Sequence, residues 1–146
     1  MKLIYTVLFF GMMIIGFSQL SSCHNNNLNI QTAQYAVNGQ KLYRTHCQNC
    51  HGAKGEGLGK LYPPLTDQKY LSENRDKLAC IIKNGLSGEI VINGETYNQA
   101  MPALSKLSDM DIAYILTYVT THFGDSDSTF TQDEVIKGLK DCKLFF

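Results

Sequence analysis

Residues 47–51 read Cys-Gln-Asn-Cys-His, and no other stretch limits more tightly what this chain can be. Two cysteines two residues apart, with histidine directly after, have the spacing of a c-type haem attachment site. The chemistry sets that spacing. Two thiols add across the two vinyl groups on one edge of a porphyrin, so they must sit about one helical turn apart. The next residue then lies under the iron, where an imidazole nitrogen can ligate it. A Cys-x-x-Cys pair also suits a redox dithiol or half of a zinc site. Zinc asks for two more Cys or His at a second paired spacing, which the remaining Cys and His do not offer. A thioredoxin-like pair asks for a surrounding βαβ pattern, and the flanks do not read that way. Cys47 and Cys50 are therefore read as thioether positions and His51 as the proximal ligand.

A chain of 146 residues suits one domain of ordinary size. Lys plus Arg and Asp plus Glu both number 13. With no basic excess the balance argues against nucleic acid, and with no acidic tract it argues against disorder.

The N-terminus reads as a targeting segment. Lys2 is followed by an almost wholly apolar run over 3–17, with polar residues from Ser18 onward. One positive charge, a short apolar core and small residues make a secretory signal peptide. The run falls short of the ~20 residues that span a bilayer. Leu20-Ser21-Ser22-Cys23 resembles the bacterial lipobox, in which the cysteine is acylated and becomes the first residue of the mature protein. Several acyl chains on Cys23 would anchor the protein stably to a membrane. The expected organisation is a lipoprotein signal peptide over 1–22 and a flexible polar tether over 23–32. The haem domain follows over 33–124, and an extension with a short helix over 125–146. Removal of the signal peptide takes away Lys2 alone, leaving a formal charge of −1.

Residues 33–46 read as a helix, with Tyr35, Gly39, Leu42, Tyr43 and His46 near one face. A mid-helix Gly costs about 1 kcal/mol against Ala, and close approach of another helix would explain it. Residues 52–60 hold four glycines in nine positions and form a loop. Tyr62-Pro63-Pro64-Leu65 then imposes an extended segment. Its prolines leave carbonyls free, and one of these could accept the Nδ1–H of His51 and so set the tautomer of the ring. A plain rigid loop fits the same spacing.

One helix is expected over 72–84, with Leu78, Ile81 and Ile82 inward and Gly85 ending it. Ile90-Val91-Ile92, then Asn93-Gly94, then Thr96-Tyr97 is a hairpin signal. The clearest helix runs over 109–123, capped by Ser108, striped by Ile112, Ile115, Leu116 and Val119, and followed by Gly124 as a C-cap. Thr131 and Glu134 form a capping box that opens a last short helix. Of the methionines outside the signal peptide, Met110 lies in the first turn of a helix, whereas Met101 precedes a proline in a loop. A lone Met is core filler as readily as a ligand; downstream of a haem site, Met101 is read as the second axial ligand.

If Cys23 carries lipid and Cys47 and Cys50 carry haem, Cys80 and Cys142 remain. An exported protein meets an oxidising compartment, which predicts a Cys80–Cys142 disulfide. Two buried free thiols are the alternative.

Together these residues resemble a small monohaem cytochrome c of the His/Met-ligated class. The resemblance covers 33–124. It rests on Cys47-x-x-Cys50-His51, on Gly39 and Tyr43 ahead of it, and on Ile115 and Tyr118 at the positions that cross them. Pro63 and Leu65 resemble the loop that orients the proximal His and packs on the haem, and Met101-Pro102 the distal segment. The hairpin and the tail after Gly124 are absent from the smallest members. The resemblance implies an all-α cytochrome c fold with crossed N- and C-terminal helices around one covalent haem c, plus a short β-hairpin insertion. Cys47, Cys50, His51, Met101, Pro63 and Leu65 would bind the cofactor, and His51 and Met101 the iron.

The implied function is one-electron transfer in a bacterial respiratory chain at the membrane surface, facing the periplasm. Redox proteins would be the partners, with no small-molecule substrate and no enzymatic reaction of its own. The alternative is a haem c subunit of a larger oxidase, nitrite reductase or quinol-oxidising complex. A third class, gas binding or peroxidase activity, needs Met101 off the iron.

Overall fold

The computed structural model describes residues 29–142. The signal peptide, Cys23 and the first part of the tether lie outside the described residues. In chain order the elements are α1 (Ile30–His46), the single turn α2 (Gln48–His51), α3 (Gln68–Glu73), α4 (Arg75–Asn84), β1 (Ile90–Ile92), β2 (Glu95–Tyr97), α5 (Asp109–His122) and α6 (Gln132–Asp141). Among the described residues, no helix is long and apolar enough to cross a membrane. The architecture is the expected helical one, with a two-stranded antiparallel sheet.

The crossing of α1 and α5 explains Gly39. A Cβ there would run into the carbonyl of Tyr114 and the Cβ of Tyr118. One turn on, Tyr43 is fully buried, its ring centroid 5.3 Å from that of Tyr118 and 5.4 Å from that of Phe123. Tyr35 meets Tyr114 edge-on at 4.8 Å. Tyr114 and Tyr118 thus carry the crossing, while Ile115 lines the cleft described below.

Helix α1 starts three residues before the expected Ala33, inside the segment read as tether. Asn29 caps it by accepting from the Gln31 N–H, and Thr32 is buried with its hydroxyl 2.6 Å from that of Thr129. The helix expected over 72–84 is instead two. It breaks at Asn74, whose side-chain amide donates to the Tyr70 carbonyl, offering the backbone an alternative to the helical ladder. Gly85 ends α4 as expected, with φ 79°. After α5 the left-handed residue is Asp125, φ 58°, and not Gly124; the Ser126 N–H then reaches back to the Thr120 carbonyl. Ser108 and Asp111 form a reciprocal capping box at the start of α5. At α6 only half a box forms: Thr131 caps Glu134, but the Glu134 carboxylate turns to Arg75.

The segment after Gly124 is part of the core. Phe130 and Val135 are buried, each contributing about 1.5–3 kcal/mol by leaving water. Thr117, fully buried in α5, accepts the Phe130 N–H at 3.0 Å and donates to the Ala113 carbonyl at 2.8 Å. The Arg75 guanidinium holds both Glu134 oxygens, at 2.6 and 3.1 Å, and lies over the Phe130 ring. Cys80 of α4 and Cys142 at the end of α6 form a disulfide, as expected.

Candidate functional site

Cys47 closes α1 and opens α2. Its N–H bonds the Tyr43 carbonyl at 2.8 Å, while its own carbonyl accepts from Cys50 at 3.2 Å and His51 at 3.0 Å. This single turn brings both thiols and the imidazole to one wall of an apolar cleft. Neither thiol is in a disulfide. Burial, and then the neighbouring Cys50, pushes the Cys47 thiol up to about 12. A redox dithiol needs the opposite, a thiolate stabilised near neutrality. Among the described residues no cluster of three or more His, Cys, Asp or Glu could hold a metal ion, so a zinc site has no further ligands here.

His51 is fixed by the loop that follows it. Its Nδ1 lies 3.0 Å from the Pro63 carbonyl. A carbonyl only accepts, so Nδ1 carries the proton and Nε2 is left with its lone pair free. Burial lowers the pKa of the ring, against the raising effect of the Pro63 carbonyl. The loop is shaped for this contact. Gly57 donates to the His51 carbonyl at 2.8 Å, and Leu65 to that of Gly55 at 2.7 Å. Gly57 has φ 73°, and a Cβ on it would strike the Tyr62 carbonyl and the Pro64 nitrogen. The Tyr43 hydroxyl donates to the Gly52 carbonyl at 2.7 Å, tying the helix crossing to the start of the loop.

Met101 reaches the cleft from a different segment. Its backbone forms a two-bond bridge with Leu86, at 2.8 and 3.1 Å. Leu104 donates to the Ile82 carbonyl at 3.0 Å, and the Lys83 ammonium to the Leu107 carbonyl at 2.6 Å. The end of α4 is thus the platform on which residues 101–107 sit. Met101 is half-buried against the core.

All six residues singled out in the sequence, Cys47, Cys50, His51, Pro63, Leu65 and Met101, line this one cleft. It encloses about 1080 Å³ of atom-free space, part of it open to solvent. Leu71, Leu78, Ile82, Ile115, Leu116 and Val119 supply apolar walls. These residues fit a covalent haem: two thiols on one turn outside any disulfide, an imidazole with Nδ1 already engaged, a thioether, and an apolar enclosure. Sequence reasoning missed the polar lining, namely Tyr62, Asp67, Tyr70, Tyr97 and Gln99. Alternation along the hairpin could have found Tyr97, which pairs with Ile90 on one face.

Residues 36–123 match the cytochrome c family. A cytochrome c-552 of Thermus thermophilus is 32% identical over 110 residues, covering 69% of this chain and 83% of that protein. A second cytochrome c-552, from a particular strain of the same organism, shows the same identity over 74% of its length. The fructose dehydrogenase cytochrome subunit of Gluconobacter japonicus is 28% identical over 119 residues, which is 76% of this chain but 24% of that subunit.

Proposed function

The chain belongs to the cytochrome c family of electron carriers with covalently bound c-type haem, and from that premise we propose that it is a His51/Met101-ligated one-electron carrier. The haem, when bound, supplies the reversible one-electron couple. Cys47 and Cys50 would hold it by thioether bonds. His51 would ligate iron through Nε2, oriented by the Pro63 carbonyl, and the bridge to Leu86 would hold the Met101 thioether in place. With His51 and Met101 both serving as iron ligands, no position would be open for substrate, and the chain would have little to rearrange as the electron passes. A thioether ligand favours the reduced state and raises the potential. The observation that carries this reading is the meeting of Cys47, Cys50, His51 and Met101 in one apolar cleft.

The setting we propose is a bacterial respiratory chain. A lipid on Cys23 would keep the carrier on a membrane surface facing the periplasm, raising its effective concentration near membrane-bound redox partners. The likeness to a dehydrogenase cytochrome subunit favours a second reading, a haem subunit of a larger oxidoreductase. Co-purification of the full chain with large membrane proteins separates the two.

Visible spectra of haem-loaded protein and of Met101→Ala test the ligand assignment. A low-spin reduced spectrum, with a weak sulfur-to-iron band in the oxidised protein that the variant loses, is expected. A high-spin spectrum unchanged by the substitution would overturn it and turn attention to carbon monoxide binding and peroxidase activity.

A further inference from the structure

We propose that the outward face of α1 docks on an anionic phospholipid bilayer, with Ile30, Ala33 and Val37 entering the interface and Lys41 and Arg44 meeting the lipid phosphates. The proposal rests on the lipid anchor at Cys23 and not on the ligands of the iron.

Helix α1 buries one face and leaves the other without a partner. Thr32, Gly39 and Tyr43 are buried against the rest of the domain. Ile30, Ala33, Val37, Lys41 and Arg44 recur at steps of three and four residues, which places them on the opposite side of the helix. All five are exposed, Ile30 and Val37 at 77% and 58%. Apolar residues scattered singly over a surface are ordinary. These two share a stripe with two cations, and α1 holds no Asp or Glu along its length. Among the described residues, neither Lys41 nor Arg44 is in an ion pair. Beside Arg44 lies a polar hollow lined by Gln40, Gln48 and His122, where the two amides can donate to a phosphate oxygen. Apolar residues next to unpaired cations suit a surface that is hydrocarbon below and negative above.

The anchor decides which surface α1 meets. Asn29, the cap of α1, follows Cys23 by six residues. Six extended residues reach about 20 Å, less than the roughly 26 Å that a helix of 17 residues spans. A domain on so short a lead stays close to the bilayer. The end of α1 nearest the anchor carries Ile30, the most exposed large apolar side chain among the described residues. No residue of the stripe lines the haem cleft, so docking through it leaves the cleft walls uncovered for a redox partner.

The test is lipid photolabelling of the full, haem-loaded chain. The acylated protein is placed on phosphatidylglycerol vesicles that carry a diazirine phospholipid, and the adducts are located by peptide mass spectrometry. Adducts should concentrate in residues 30–44. Peptides holding Leu58, Leu61 and Val91, the other large exposed apolar residues, should carry few. Lys41→Gln and Arg44→Gln should each shift the domain off the bilayer about fivefold, and phosphatidylcholine vesicles should weaken labelling of the parent in the same way. Val37→Asp should clear α1 of adducts while an unchanged haem spectrum shows that the fold is kept. Adducts centred on Leu58, Leu61 or Val91, spread evenly over the domain, or unmoved by Val37→Asp would overturn the docking. So would a dimer in sedimentation that Val37→Asp breaks, which would assign the face to a second copy of the chain. Intact mass reports the acyl chains on Cys23 separately. A chain without them overturns the anchor reading instead; coupling Cys23 to a maleimide phospholipid then restores the tether, and the same labelling decides the docking.

Discussion

Leu86 and Met101 exchange both backbone hydrogen bonds, at 2.8 and 3.1 Å, directly after the helix end at Gly85. The ligand candidate is therefore held by its main chain before any iron is considered. The pairing requires the glycine. Gly85 has φ 79°, and a Cβ on it would meet the Met101 carbonyl at 2.5 Å and the Ala103 nitrogen at 2.9 Å.

Gly85→Ala should therefore cost about 1–3 kcal/mol from backbone strain, and should also displace Met101. Gly94→Ala is the control, because Gly94 has a similar φ of 78° but open space around it. Chemical denaturation should show both variants destabilised. Only Gly85→Ala should weaken the sulfur-to-iron band. Equal loss of that band in both would separate Met101 from the Gly85 contact.

What could be read from the sequence was what short spacings dictate. Cys47 to His51 is one turn. Asn93 and Gly94 take the positive φ values, 53° and 78°, that a two-residue hairpin turn demands. Gly39 and Tyr43 share a helix face, so one crossing explains both. What escaped reading depends on partners distant in sequence. The early start of α1 goes with burial of Thr32 against Thr129, 97 residues away. The tail looks like an appendage until Arg75 meets Glu134 across 59 residues. The break at Asn74 was hidden because the apolar stripe of Leu78, Ile81 and Ile82 lies wholly after it and does not mark where the helix begins. Tyr97 in the cleft was missed because the hairpin was read for its turn and not for its two faces.

Gly39→Ala should destabilise the protein by at least about 2 kcal/mol, since the new methyl meets backbone and cannot be accommodated by a rotamer change. Helix propensity alone would push the other way, by about 1 kcal/mol in favour of Ala. Thermal unfolding therefore separates the two effects by sign. A more stable Gly39→Ala would mean that α1 and α5 do not approach at this residue.

Breaking the Cys80–Cys142 disulfide, as in Cys142→Ser, should cost ~2–4 kcal/mol, because the bond closes a long loop with a sequence separation of 62. The haem spectrum should be unchanged, since neither cysteine lines the cleft. Denaturant midpoints and the visible spectrum of the same samples check both halves. Loss of the haem spectrum at full stability would reverse the assignment of the two cysteine pairs.

Glu56 ties acid stability to the loop after His51. Its exposed carboxylate lies against Gly52, where a Cβ would collide with it, and accepts the Lys54 N–H at 2.7 Å. Its pKa is lowered chiefly by hydrogen bonding to its own backbone N–H and then to that of Lys54. A carboxylate with a folded pKa below its unfolded value binds fewer protons in the native state. Its contribution is therefore fully present above the ordinary value of 4.5 and is lost as pH falls through the lower folded value. Glu56→Gln should be less stable than the parent by a constant amount near neutral pH, and the two should converge as the pH drops below 4.5. Urea midpoints measured from neutral pH into the acid range give both curves. Parallel curves across that range would show that the carboxylate does not hold the loop by its charge.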